Sequence, residues 1–340
     1  MMVQAPRSAV LVAASAVMLG LIASPLDAQA PKQAPKVTIK SAYTTTSATM
    51  TPLWTAKEGG YFDEEGLEVT LARIQPGPPV LGAVQTRDVP LAFVGAQQIV
   101  NADLKGASFI IVASFDETLS QALYVHPSIE RPEQLKGKAI GVTNFGAITH
   151  VAAKEAVKHL GLEGQVTYLA TGGPPETLAA MQFGKLAAAT FSPPDLFKAR
   201  ELGFRELLDV SKLGIKSLGA TVVTTREFAR EKPDVVERYI RASLKGSHRA
   251  KTDREFALKV ISKYTKQTSP AILSGTYDFF REHWLKDGMP SAEGLQKNID
   301  VAAAELPEAK NARPEQFWDL TFIKKINATG FVDQLWKKSP

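Results

Sequence analysis

Cysteine is absent from the 340 residues. That excludes disulfides, thiolate metal sites, a cysteine nucleophile and a lipid-bearing cysteine at a processed N-terminus. Histidine is scarce. His126, His150, His159, His248 and His283 are scattered, and no H-E-x-x-H or other paired ligand spacing occurs. No metal and no cofactor are expected. No glycine-rich phosphate loop is present, and no G-x-G-x-x-G follows a strand-like run. The G-x-S-x-G elbow of serine hydrolases is missing too, since GIKSLG at 214–219 has the wrong spacing. The chain also lacks a strong charge of one sign. The net charge is +5, and basic residues lie beside acidic ones, as in Glu227, Arg230, Glu231 and Lys232. No basic stripe interleaved with aromatics exists, so nucleic acid is not an expected partner.

Long apolar runs are missing except at the start. Residues 9–23 read AVLVAASAVMLGLIA, preceded by Arg7 and followed by Pro25 and a small-residue stretch. A membrane span needs about 18–20 apolar residues. This shorter run with a basic flank fits a secretory signal, against an uncleaved anchor as the alternative. Cleavage after Ala28 is expected ahead of cleavage after Ala30, where Pro31 would follow the cut. Residues 1–28 are thus read as a signal peptide and 29–36 as a Pro/Lys/Gln/Ala leader without fixed structure. The mature chain is expected to be soluble, monomeric and periplasmic, and to carry no lipid.

Strand-like and helix-like segments then alternate. Strands are expected at 37–43, 67–74, 89–94 and 109–114, with helices at 52–58 and 79–85 between them. The continuous run FIIVAS at 109–114 suits a strand buried on both faces. The pattern restarts with strands at 139–142, 166–169, 187–191 and 220–224 and helices at 150–160, 175–183 and 195–202. Such alternation indicates βαβ units and largely parallel sheets. Residues 81–93 and 178–191 both run helix, short turn, small-apolar strand, which suggests two α/β lobes of similar build. From Thr225 onward the spacing is helical, with Phe279, Phe280, Trp284, Phe317, Trp318, Phe322 and Trp336 read as core.

Loops that follow strands and lead into helices present unpaired N–H groups to ligands. Residues 44–49, TTTSAT, add hydroxyls, and Thr45, Thr46 and Ser47 are candidates. Residues 144–149, NFGAIT, do the same, with Asn144, Phe145, Gly146, Ala147 and Thr149 as candidates and Gly146 permitting close approach. By the same geometry Gln75, Gly95, Gln97, Gly172, Ser192 and Pro193 follow strands, and Phe115, Phe145 and Phe191 could form an apolar wall. No Arg or Lys occurs in 44–49, 144–149 or 95–97. A multiply charged ligand would recruit Arg. The expected ligand is therefore a carboxylate or sulfonate with one negative charge and an apolar body, with a neutral heterocycle second. No catalytic residue is assigned. A periplasmic lyase or hydrolase using Asp116 or Glu117 is the enzymatic alternative.

Tyr43, Ser47 and PLWTAKEGGYFDEEGLEV at 52–69 resemble the opening of the NMT1/SsuA/TauA group, the substrate-binding proteins of nitrate, sulfonate, taurine and pyrimidine-precursor ABC importers. RPEQLKGKAIGV at 131–142 is similar to the group's second-lobe entry, and Asn144 to Ala147 stand where the group has its ligand loop. Pro90 and Ala187 occupy positions where an Asp is usual. The resemblance implies a type II periplasmic-binding-protein fold. Its two lobes would be residues 37–118 and 119–224, with a return to lobe one and C-terminal helices over 225–340 and crossings near 118–124 and 219–225. It also implies a ligand between the lobes at the carboxyl ends of the strands, as open α/β sheets favour. The implied partners are a small-molecule ligand and the permease subunits of an ABC importer, to which hinge closure would present the ligand. A membrane sensor is the alternative partner.

Overall fold

The computed structural model describes residues 1–2, 36–303 and 306–337. The expected signal peptide beyond residue 2, and the leader up to residue 35, lie outside them. Ten strands form two five-stranded sheets. The first holds β1 (Val37–Tyr43), β2 (Leu67–Arg73), β3 (Leu91–Val94), β4 (Phe109–Ser114) and β10 (Thr221–Thr225), in the order β2-β1-β3-β10-β4. The second holds β5 (Ala122–Val125), β6 (Ala139–Val142), β7 (Thr167–Ala170), β8 (Ala188–Phe191) and β9 (Arg205–Asp209), in the order β7-β6-β8-β5-β9.

The sheets are mixed in the same way. β1 pairs in parallel with β2 and β3, and β6 with β7 and β8. β10 is antiparallel to β3 and β4, and β5 is antiparallel to β8 and β9. The reversed strand in each sheet is the one the chain forms directly after crossing between lobes. A strand entered straight from the opposite lobe, with no helical crossover, has no means of running parallel to its neighbours. Residues 221–224, assigned to lobe two from the sequence, thus lie in the first sheet.

β4 is buried along its whole length, as its unbroken β-branched and aromatic run requires. The C-terminal helices wrap lobe one. Helix Pro233–Thr252 packs on helix Thr51–Glu58, with the Thr55 hydroxyl donating to Gly246 O at 2.8 Å. Trp54, Tyr239, Phe280, Trp284 and Phe317 are fully buried, as core aromatics should be.

Gly246 carries this helix contact. A Cβ there would collide with Pro52 O and lie 2.7 Å from Ala56 N, both rigid backbone atoms. Alanine gains about 1 kcal/mol of helix propensity over glycine. Overpacking against backbone costs about 1–3 kcal/mol or more, and it wins here. Gly246→Ala is expected to lower the melting temperature by several degrees in a circular-dichroism melt, whereas Gly82→Ala, with open space at its Cβ, should not.

Candidate functional site

The first crossing (Phe115 to Gln121) and the return crossing (Ser217 to Ala220) lie side by side, tied by Gly219 N to Asp116 O at 3.0 Å and Ser217 N to Glu117 O at 2.9 Å. Over them the two lobes meet around a small cavity of about 40 Å³. On that measure one water needs about 10–15 Å³, so the space suits a compact ligand.

Lobe one contributes Thr44, Thr45, Ser47, Thr49, Met50, Pro76, Gly95 and Gln98. The loop after β1 is drawn tight by Ser47 N donating to Thr45 Oγ1 at 3.1 Å, and Ser47 then caps the 3₁₀ turn Ala48–Met50. Gln98 is held by its Oε1, which accepts from Gly77 N at 2.5 Å. Lobe two contributes Thr143, Ala147, Ile148, Thr149, Pro174, Thr190, Phe191, Ser192 and Asp195, and the crossings contribute Gln121 and Gly219. The Thr143 and Thr149 hydroxyls are 2.8 Å apart, and Thr190 Oγ1 donates to Thr149 O at 2.8 Å.

Helix starts converge on this space. Met50, Gly95 and Ala147 are the N-cap residues of helices Thr51–Glu58, Ala96–Asp103 and Ile148–His159, and Pro174 and Asp195 are the first residues of Pro174–Gln182 and Asp195–Glu201. All five line the cavity. The positive dipole ends of these helices favour an anion, while Pro174 and Pro175 bring no N–H and the N–H groups of Met50 and Ala147 are taken by Ser47 O and Asn144 O; no cationic side chain lines the space among the described residues.

Direct bonds hold the lobes together. Ser47 Oγ and Ser192 Oγ are 2.8 Å apart, Asn144 Nδ2 donates to Pro76 O at 3.0 Å, and Lys297 pairs with Glu155 at 2.8 Å. Asp195 is buried, and burial holds its carboxyl above the usual range, partly offset by the Lys198 ammonium at 3.3 Å. Beneath Gly219, Asp116 is wholly buried. Desolvation pushes its carboxyl up to about 8.

Of the candidates read from the sequence, Thr45, Ser47, Gly95, Ala147, Thr149 and Ser192 line the cavity together, with Phe191. The others lie elsewhere. Phe115 is a core residue, fully buried and stacked on Phe93 at 5.5 Å between centroids. Phe145 is 57% exposed and faces an outer groove with Gly146. The Gly146 N–H is taken by His150 Nδ1 at 3.2 Å. Its positive φ of 74° therefore serves a turn that leads away from the cavity. Asn144 acts as a link between lobes. Gln97 is buried in a separate small void with Asn101 and His150. Gln75 is exposed, Thr46 is half-buried beside the loop, Gly172 turns the chain with its N–H on Thr143 O, and Pro193 is buried behind Ser192. Gln98, Gln121, Thr143, Thr190, Asp195 and Gly219 were not legible as cavity residues. Two of them lie on the crossings, which necessarily form the floor of a two-lobed cleft, and that rule alone points to Gln121 and Gly219.

The family model described as NMT1/THI5 like matches residues 47–257. The chain belongs to this family. It is 27% identical over 219 residues to the taurine-binding periplasmic protein of Escherichia coli (strain K12), a match covering 62% of this chain and 66% of that protein. The periplasmic aliphatic sulphonate binding protein SsuA from Escherichia coli shares the fold with a TM-score of 0.68 at 19% identity, over 84% of this chain and 92% of that one. The desulfurization enzyme DSZB shares it with a TM-score of 0.64 at 13% identity, over 87% and 100%. Members of this fold thus include binding proteins and an enzyme. In this chain, neither acid considered for catalysis lines the cavity. Asp116 is sealed beneath Gly219, and Glu117 Oε2 accepts from Ser291 N at 3.2 Å while Oε1 pairs with Lys216. No helix among the described residues is long and apolar enough to cross a membrane.

Proposed function

We propose that this chain captures a compact organic anion, a sulfonate or carboxylate, and hands it to the permease of an ABC importer from the periplasmic side. The convergence of five helix starts and a ring of hydroxyls on one interlobe cavity supports this reading most strongly. The periplasmic taurine-binding relative points the same way. A singly charged anion needs no guanidinium where helix dipole ends and hydroxyl donors surround it. Ligand contacts made to both lobes favour the closed arrangement, and that arrangement is what a permease would read.

The test is mass spectrometry of small molecules released on denaturing freshly purified protein. A single sulfonate or carboxylate, near one per chain and recovered unchanged after incubation, is expected. Steady conversion of added ligand to a product would overturn the proposal in favour of an enzyme.

A further inference from the structure

Two charged side chains face each other across the rim of the cavity. Arg73 ends β2 and stands in register with Tyr43, just before the cavity-lining Thr44 and Thr45. Glu176 lies in the first turn of helix Pro174–Gln182, just after the cavity-lining Pro174. A Cβ on Gly173 would lie 2.6 Å from Glu176 Oε2 and 3.3 Å from Arg73 Nη2. The charged ends thus come from opposite lobes and hang over one backbone position. Gly173 is buried beneath them, while both are exposed. Neither forms an ion pair among the described residues. Lys297 and Glu155, also on opposite lobes, are by contrast joined at 2.8 Å. By itself Glu176 works against an anion, because its carboxylate offsets the positive end of its own helix. A cation from the other lobe gives that carboxylate a purpose.

We infer that Arg73 and Glu176 are a gate, joining over Gly173 as the lobes close on a ligand and holding the closed arrangement. The inference rests on the anion-capturing function proposed above. With the lobes apart, Arg73 is an unpaired cation beside the hydroxyl loop of lobe one, and it draws an anion toward that loop. On closure Glu176 takes up the guanidinium and the pair covers the rim. Both are positioning residues, since neither lines the cavity. An exposed pair of opposite charges is worth up to about fivefold in an equilibrium constant, which sets the size of the effect.

Calorimetry on the full chain with ethanesulfonate and propanoate tests this. Glu176→Gln is expected to weaken binding by about two- to fivefold. The sign is decisive, because removing a negative charge from the rim of an anion site would by itself tighten binding. Arg73→Gln should weaken binding at least as much, and the double variant Arg73→Gln/Glu176→Gln should be no weaker than Arg73→Gln alone, as partners in one contact require. Exchanging the charges, Arg73→Glu with Glu176→Arg, should bring the affinity back to within about twofold of the wild type, while Glu176→Arg alone stays weaker than the wild type. Melting temperatures without ligand should not change, since both side chains are exposed. Unchanged or tighter binding by Glu176→Gln would overturn the gate and leave anion capture standing. So would single losses that simply add in the double variant. Failure of both probes to bind the wild-type chain would overturn anion capture and the gate with it.

Discussion

Gly219→Ala is expected to weaken ligand binding by at least about tenfold, the equivalent of the 1–3 kcal/mol that overpacking typically costs. Gly219 lines the cavity, and a Cβ on it would lie 2.5 Å from Asp116 Oδ2. Its backbone is in an ordinary conformation, so the effect comes from collision alone. Asp116 has no room to retreat, being wholly buried and held by Thr118 N on Oδ1 at 3.3 Å and by Gly219 N on its carbonyl. The two crossings must spread, and the floor of the cavity moves with them. Adding Asp116→Ala to Gly219→Ala removes the colliding oxygen and should recover much of the affinity. That non-additivity is the signature of contact between neighbours. Titration calorimetry with a sulfonate probe on the single and double variants reads it out. Equal losses in both would mean that the contact between the crossings does not shape the site.

Asp116→Asn is expected to stabilise the protein near neutral pH. Burial raises the folded carboxyl to about 8, against about 3.9 in an unfolded chain. Below pH 4 both states hold the proton, and the group is neutral to stability. As pH rises from 4 to 8, only the unfolded chain ionises, and stability falls by about 1.4 kcal/mol per unit. At pH 7 the loss is on the order of 4 kcal/mol. Asparagine cannot ionise, and its amide can occupy the place of the protonated acid, so the loss disappears. The melting temperature of the variant should exceed the wild type by about 5–10 °C at pH 7, and the gap should close at pH 4. A gap that is constant across that range would show that Asp116 is ionised in the folded protein.

The location of Asp116 illustrates what the sequence conceals. It follows a strand end, where ligand groups are expected, yet the crossing that returns some hundred residues later covers it. The strands were easier to read. VTIKSAY announces a half-buried strand by alternation, FIIVAS a buried one by its unbroken run, and both form as expected. ALYV at 122–125 and RELLD at 205–209 are strands that were not read. They are four and five residues long, too short for a period to register, and what makes them strands is pairing across the second sheet. Helix Ala96–Asp103 escaped notice because Gly95 precedes AQQIVNAD and no Ser, Thr, Asp or Asn marks its start.

The site was half legible for a related reason. Position after a strand finds loops near the cleft, and so it found Ser47, Gly95, Thr149 and Ser192. It does not say which way each residue in a loop faces. In 144–149 the hydrogen bond from Gly146 N to His150 turns Phe145 and Gly146 outward, while Ala147 and Thr149 stay in. Asp195 was read only as the first residue of the helix at 195–202, since a lone carboxylate at a helix start serves the helix end far more often than it contacts a ligand.

A small anion is expected to bind in the cavity between the lobes. Calorimetry with ethanesulfonate on the wild type and on Ser192→Phe reads this out, because the ring would fill a space of about 40 Å³ from a residue that bonds Ser47 across the cleft. One binding site per wild-type chain and none in the folded variant are expected. Equal binding by both proteins would contradict it.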